Sequence, residues 1–360
     1  MHEGAPRLLF VPVSGAFGMG EYARSLAIAQ GAMQRWPQAS IRFILSRAAP
    51  YAAQSPFPAE LLASSPTFHS AAVIGIMNEW RPDVVIFDNA GRTAQLRAAR
   101  KAGARVVYIS SRRRQRNKAF RLRWMRLIDE HWIAYPEFIA GELTFVERLK
   151  RRMLRRPAVR YLDVILARTR EPPTPRPGLA ADYLLMVPGG GTGHPGAGDA
   201  VDVFLQAARA LASLGVDTVL VGAAGTAAVT AGAPGACAPA ALGARAHLLG
   251  SLPQAELAGL MQGARLIVAN GGSTLLQSIA CGRACVAVPI AGDQAERIRR
   301  CVGLGVAVAA PLAAHAMVQA ASDLWRDAAR LDALAGRAAR LGLADGVDVA
   351  LRAITGLLTT

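Results

Sequence analysis

The stretch from Leu249 to Gln294, LGSLPQAELAGLMQGARLIVANGGSTLLQSIACGRACVAVPIAGDQ, decides the reading of this chain. It passes through an apolar segment at 264–269, a small-residue turn at 270–274, the start of a helix, a second apolar segment at 284–289 and a loop ending in Asp293-Gln294. Glycines at a strand-to-helix turn let the backbone come close to a ligand, and the helix N-terminus behind them favours an anion. A pyrophosphate has the charge and size for that place. Gln277, one turn into the helix, and the pair Asp293-Gln294 after the next strand stand where polar side chains can hold a sugar beside it.

Working outward, the same strand-and-helix alternation fills both halves of the chain. Segments 8–13, 41–46, 83–88, 105–110 and 131–135 read as buried strands, with helical stretches such as 22–35 and 93–102 between them. The second half repeats the scheme at 183–188, 218–222, 264–269, 284–289 and 305–309. Such alternation predicts parallel sheets covered by helices on both faces, an α/β chain. The proline-rich run ARTREPPTPRPGL breaks the pattern and reads as a linker at 167–180, between a domain at 1–166 and another at 181–360. Residues 223–244 are low in complexity and read as a surface loop or loose helix.

Composition agrees. A chain of 360 residues can bury two ordinary cores, and 52% hydrophobic against 18% charged residues excludes a disordered chain. No apolar run approaches membrane-spanning length, and no basic region precedes a long apolar core at the N-terminus. Four cysteines without a C-x-x-C pair or a His cluster predict free thiols in a reducing cytoplasm.

The net charge of +16 is local. Residues 112–126 hold eight basic residues and residues 148–160 hold seven, neither with an acid; without them 26 basic residues face 25 acidic ones. Phe120, Trp124, Leu127 and Ile128 recur at helical spacing inside the first cluster, which predicts a basic amphipathic helix. Arg112, Arg113, Arg114 and Trp124, with Arg151 and Arg152 of the second cluster, are the candidate contacts to an anionic membrane surface. The other reading is an arginine-rich solvated face. Nucleic acid is not expected, because the clusters carry no aromatic stacking platform.

Pro253-Gln254, Gly271-Gly272-Ser273-Thr274, Gln277, Gly282, Pro289 and Asp293-Gln294 also follow one another at the spacings of a known donor signature. In them the chain resembles the nucleotide-sugar glycosyltransferases of the two-Rossmann (GT-B) type, including plant-type UDP-sugar transferases and the bacterial peptidoglycan-precursor N-acetylglucosaminyltransferases. The resemblance implies two Rossmann-like domains facing a central cleft, the first for the acceptor and the second for the donor, with the helical run from His315 onward packing back across the junction. It implies donor contacts at Leu252, Gln254, Gly271, Gly272, Ser273, Thr274, Gln277, Asp293 and Gln294. The second glycine-rich loop, PGGGTGH at 188–194, would add Gly190, Gly191 and Thr192, with His194 contributing positive charge near the leaving diphosphate. Three departures fall on the contacts to uridine, ribose and phosphate: Ser251 replaces the stacking aromatic, Gln277 the ribose-binding carboxylate, and Ala269 the phosphate-binding His of the plant form.

The loop after the first strand, SGAFGMGE at 14–21, carries Gly18 and Gly20 as acceptor-loop candidates, and Glu21 stands where the bacterial family has a His. Inverting sugar transfer needs a base for the acceptor hydroxyl proton, and a carboxylate can serve. Glu21 is the first candidate, although an acid in the first turn of a helix is also favoured by the macrodipole. Asp88, ending its strand, is a candidate to orient or replace that base, or else caps a helix. The chain has no D-x-D motif and no spaced glutamate pair of the retaining enzymes, so the expectation is inversion from a UDP-sugar type of donor without metal or other cofactor. Two alternatives stay open: a nucleotide-sugar hydrolase or 2-epimerase on the same fold, and a non-catalytic subunit binding lipid or a partner enzyme.

Overall fold

The computed structural model describes residues 5–16, 19–166, 179–189, 198–222, 245–250 and 252–359. The chain forms two compact units, Met1–Ile165 with Ala344–Thr360, and Leu166–Leu343.

In the first unit, strands β1 (Arg7–Pro12), β2 (Ser40–Ser46), β3 (Ala59–Leu62), β4 (Val84–Asp88), β5 (Arg105–Ser110), β6 (Glu130–Ile133) and β7 (Ala158–Tyr161) build one sheet. Their order is β3-β2-β1-β4-β5-β6-β7 and every neighbouring pair is parallel. Side chains alternate across a strand, so β1 sends Leu8 and Phe10 to one core and Leu9 and Val11 to the other. Both cores are buried because helices cover both faces, which is why the central strands are apolar throughout rather than alternating.

The helix Gly20–Arg35 covers the first core and packs against the helix Gly346–Thr359, whose Ala350, Ala353 and Ile354 belong to the same cluster. Gly31 allows the approach: a Cβ there would lie 2.6 Å from Val347 Cγ1. Residues 344–360 therefore complete the first unit, not the second.

The second unit holds β8 (Leu184–Val187), β9 (Thr218–Val221), β10 (Ala246–Leu249), β11 (Leu266–Asn270), β12 (Ala284–Val288) and β13 (Val308–Ala309). They run β10-β9-β8-β11-β12-β13, again all parallel. Each sheet is thus the parallel, helix-covered arrangement that the alternation predicts.

The first basic cluster differs from expectation. Residues 112–126 fold into two short helices, Arg113–Ala119 and Leu122–Met125, not one amphipathic helix. Arg112, Arg113 and Arg114 are exposed, but Phe120, Trp124 and Ile128 are buried in the core. Trp124 donates from Nε1 to Thr93 Oγ1 at 3.0 Å and carries the Lys118 ammonium 4.2 Å above its ring. It packs inward, so it is withdrawn as a membrane contact.

His131, on β6, is also fully buried, with Nε2 sharing a 2.8 Å hydrogen bond with Ser110 Oγ. Burial pushes its pKa down to about 3, with the Arg116 charge adding to the effect. The unfolded chain therefore takes up the proton first, near pH ~6.5. The stability that neutral His131 lends above that pH is lost as pH falls toward its folded value. A His131→Gln variant should show a flatter dependence of urea midpoint on pH across this window. An unchanged slope would exclude His131 as its source.

Candidate functional site

In a doubly wound sheet, ligands gather outside the carboxyl ends of the strands where the order reverses. That place lies between β8 and β11 in the second unit and between β1 and β4 in the first.

At the β8/β11 point, Asn270 ends β11 and ties two loops together. Its Nδ2 donates to Pro188 O at 2.9 Å, and its Oδ1 accepts from Gly272 N at 2.6 Å. Gly189, at φ +129, sits so close that a Cβ would lie 2.5 Å from Asn270 Nδ2. Gly271 has no more room, since a Cβ there would meet Ile298 at 2.7 Å. Gly271 N donates to Val288 O and to Gln294 Oε1, which also takes Ile290 N at 2.9 Å. Arg297, buried, donates from Nη1 to Gly271 O.

This wiring corrects the expected use of several residues. The amides of Gly271 and Gly272 serve the turn itself, so the N–H groups left without intrahelical acceptors belong to the first turn of the helix Ser273–Ala280. Gln294 is buried and spends its side-chain oxygen on the backbone, bracing the turn. Ser273 is exposed, Thr274 buried and Gln277 half-buried one turn further on. Asp293 is exposed, with Arg297 3.6 Å away. Leu252 and Gln254 are half-buried at the start of the helix Gln254–Gly263. Gly190, Gly191, Thr192 and His194 lie outside the described residues, as do Ser251 and Gly18.

Asn270 and Arg297 were missed by sequence reasoning. Asn270 carried a readable signal, because an Asn at a strand end before Gly-Gly is a typical residue to bond its own backbone two positions on. Asn270 is buried and makes two hydrogen bonds, so Asn270→Ala should lower unfolding free energy by about 1–3 kcal/mol in urea titration. An unaltered midpoint would show that the turn holds without it.

At the β1/β4 point of the first unit, the end of β4 splits its two polar residues between different jobs. Asp88 is fully buried in a bidentate pair with Arg24, Nε to Oδ2 at 2.8 Å and Nη2 to Oδ1 at 2.7 Å, with Ser25 Oγ at 3.5 Å. Burial pushes its carboxyl up to about 6, against the pull of Arg24. Asp88 is therefore no open base. It anchors the helix Gly20–Arg35 instead.

Asn89, in the left-handed region at φ 53, turns the other way. Its Nδ2 donates to Glu21 Oε1 at 2.8 Å and to Ser111 Oγ at 2.5 Å, while its Oδ1 accepts from Ser111 N at 3.0 Å. Asn is among the few residues that tolerate this backbone conformation. Glu21 is half-buried in the first helical turn, next to exposed Gly20. A carboxylate held by one neutral donor and open on its other oxygens' lone pairs can accept a proton. Sequence reasoning named Glu21 and missed Asn89 as the group that holds it.

Two Rossmann-like units, each with a polar site at its switch point, define the class. No family model and no curated protein matches the chain. Solved structures do. The glycosyltransferase SnogD from Streptomyces nogalater is 16% identical, with 98% of this chain and 99% of that one aligned at a TM-score of 0.61. MurG of Acinetobacter baumannii is 14% identical over 98% of this chain and 99% of its own, at 0.60. A Listeria monocytogenes protein described as a UDP-N-acetylglucosamine 2-epimerase is 13% identical over 98% and 96%, at 0.59. The chain has the fold of the GT-B glycosyltransferases, two Rossmann-like domains.

Proposed function

We propose that this protein is an inverting, metal-independent glycosyltransferase that moves a sugar from a nucleotide-diphosphate donor, of the UDP-sugar type, to an amphiphilic, membrane-presented acceptor at the cytoplasmic face. The observation that supports the reading is the turn at the β8/β11 switch point, where Asn270–Gly272, braced by Gln294, opens into the helix Ser273–Ala280, whose N-terminus has no side-chain cap. In this reading the first-turn amides and the Ser273 hydroxyl hold the diphosphate, as a helix N-terminus holds anions generally. Gln277 and Asp293 contact the donor's sugar portions. The acceptor oxygen attacks the anomeric carbon, the bond from that carbon to the phosphate oxygen breaks, and the nucleoside diphosphate leaves with the bonding electrons. Glu21 takes the acceptor's proton.

Thermal shift with free nucleoside diphosphates tests the donor site. At 100 times its dissociation constant a ligand should stabilise the fold by about 2.7 kcal/mol. A shift with one diphosphate and not with its base alone is the expected result; silence from every diphosphate and its sugars overturns the reading. A hydrolase or 2-epimerase is the second reading, favoured by the likeness to the Listeria protein. Release of free sugar or an epimer from a nucleotide sugar without acceptor would select it.

A further inference from the structure

The helix Phe145–Leu154 is built inside out. Its buried residue is Glu147, an acid. That carboxylate accepts from Arg116 Nε at 3.1 Å and Nη2 at 2.8 Å, and from Thr144 N at 2.8 Å in a capping box. Arg116 spends its remaining donors on the carbonyls of Ala140, Gly141 and Glu142. A charged, fully bonded face thus fastens the helix to the first unit.

The apolar side chains point the other way. Phe145 and Met153 are each 73% exposed, Val146 54% and Leu149 46%. These four are nearly half of the nine large apolar side chains exposed among the described residues, concentrated on ten residues of chain. At about 100° of rotation per residue they form one stripe roughly 100° wide. Arg148 and Arg152 lie along one edge of that stripe, both exposed, and Glu142 meets Arg148 at 3.9 Å.

Beside the helix lies a hollow of about 370 Å³ lined by Arg151, Arg155, Arg160 and the chain at 157–159. Arg160 is engaged by Glu130, whereas Arg151 and Arg155 meet no acid among the described residues. An exposed apolar stripe edged by Arg152, which meets no acid among the described residues, with an arginine-lined hollow on the same helix, has the complement of an anionic lipid surface: acyl chains for the stripe, phosphates for the guanidinium groups. A second copy of this face would set arginine against arginine, which disfavours self-association.

We propose that the helix Phe145–Leu154 is a membrane-docking element, with Phe145, Leu149 and Met153 entering the interface of an anionic bilayer and Arg152, at the edge of the stripe, meeting its headgroup phosphates. The proposal deepens the reading of a membrane-presented acceptor and rests on it only for where the acceptor is met. It also narrows the candidate docking surface from both basic clusters to the second.

The test is sedimentation of the full chain with vesicles of phosphatidylglycerol mixed with phosphatidylcholine, against phosphatidylcholine alone, at low and high salt. The wild type should bind the anionic vesicles and be released by salt. Charge reversal of Arg148, Arg151 and Arg152 removes about 1 kcal/mol of attraction per residue, so it should weaken binding by ~100-fold or more. The pair Phe145→Ser and Met153→Ser should weaken it by at least ~10-fold, taking apolar contact as the second component of such binding. Reversal of Arg112, Arg113 and Arg114 serves as the control and should have little effect. Urea midpoints verify that each variant folds. Full binding by both helix variants, or equal loss in the control, overturns the proposal. So does a wild-type dimer in light scattering that the serine pair dissolves without altering vesicle binding. Transfer to a soluble acceptor is read separately: its absence with vesicle binding intact sinks the enzyme reading and leaves docking standing.

Discussion

A Glu21→Ala variant should lose about 100- to 10,000-fold in turnover while keeping its fold, the range over which a positioned general base contributes. The side chain is half-buried, so truncating it leaves no large cavity and strands no ion. Its carboxylate accepts a hydrogen bond from Asn89, which retains Ser111 on both sides of its amide. The loss should therefore appear in kcat rather than in the urea midpoint or in donor affinity. Asn89→Ala should give a smaller fall in kcat, because it removes the donor that holds the Glu21 carboxylate in place. A Glu21→Ala enzyme with wild-type turnover would place the base elsewhere.

Arg24→Met should cost about 3–5 kcal/mol of folding free energy, the usual result of removing one partner from a buried pair. Arg24 and Asp88 are 9% and 0% exposed, so removing the guanidinium takes the charge partner from a buried carboxylate. The sign of the pH dependence follows. Burial already raises the Asp88 carboxyl to about 6, and losing Arg24 removes the main influence lowering it. A raised acid stabilises the fold at low pH and loses that contribution as pH rises through its folded pKa, so the deficit should be larger near pH ~8 than near pH ~5. The double variant Arg24→Met with Asp88→Leu should recover much of the loss, because an apolar pair needs no solvation. Equal deficits at both pH values, or no recovery, would show that the pair is not the source.

The central strands were legible because a strand buried on both faces is an apolar run with sharp ends. The reading of 105–110 coincides with β5, and β1, β2, β4, β11 and β12 differ from theirs by one or two residues. The strands it passed over, β3, β7 and β10, all sit at sheet edges. An edge strand is short and half solvated, and β7 carries Arg160 and exposed Ala158 where a central strand would carry Val or Ile. Its residues were therefore read only as part of a charge cluster.

At the sites, spacing alone located the turn at 270–274, but it could not reveal which amides the turn consumes. That depends on Gln294 and Asn270 reaching back across loops. Nor could it separate Asp88 from Asn89. Adjacent residues at a strand end turn to opposite sides, one into the protein and one toward Glu21. Trp124 misled for a related reason. An aromatic at helical spacing among arginines fits a lipid-facing helix as well as a core, and the break at Phe120–Arg121 that turns it inward leaves no mark in periodicity.

The closing helix Gly346–Thr359 has a consequence for how the protein is made. The first unit begins the chain but borrows its last layer from residues synthesised after the whole of Leu166–Leu343. At about 5–20 residues per second, ribosomes take ~10–35 s to cross that interval. Throughout it, the face of the helix Gly20–Arg35 around Gly31 stands bare, waiting for Val347 and Leu351. The order of synthesis therefore reverses the usual order of maturation: the second unit can close first, and the first is finished by the tail.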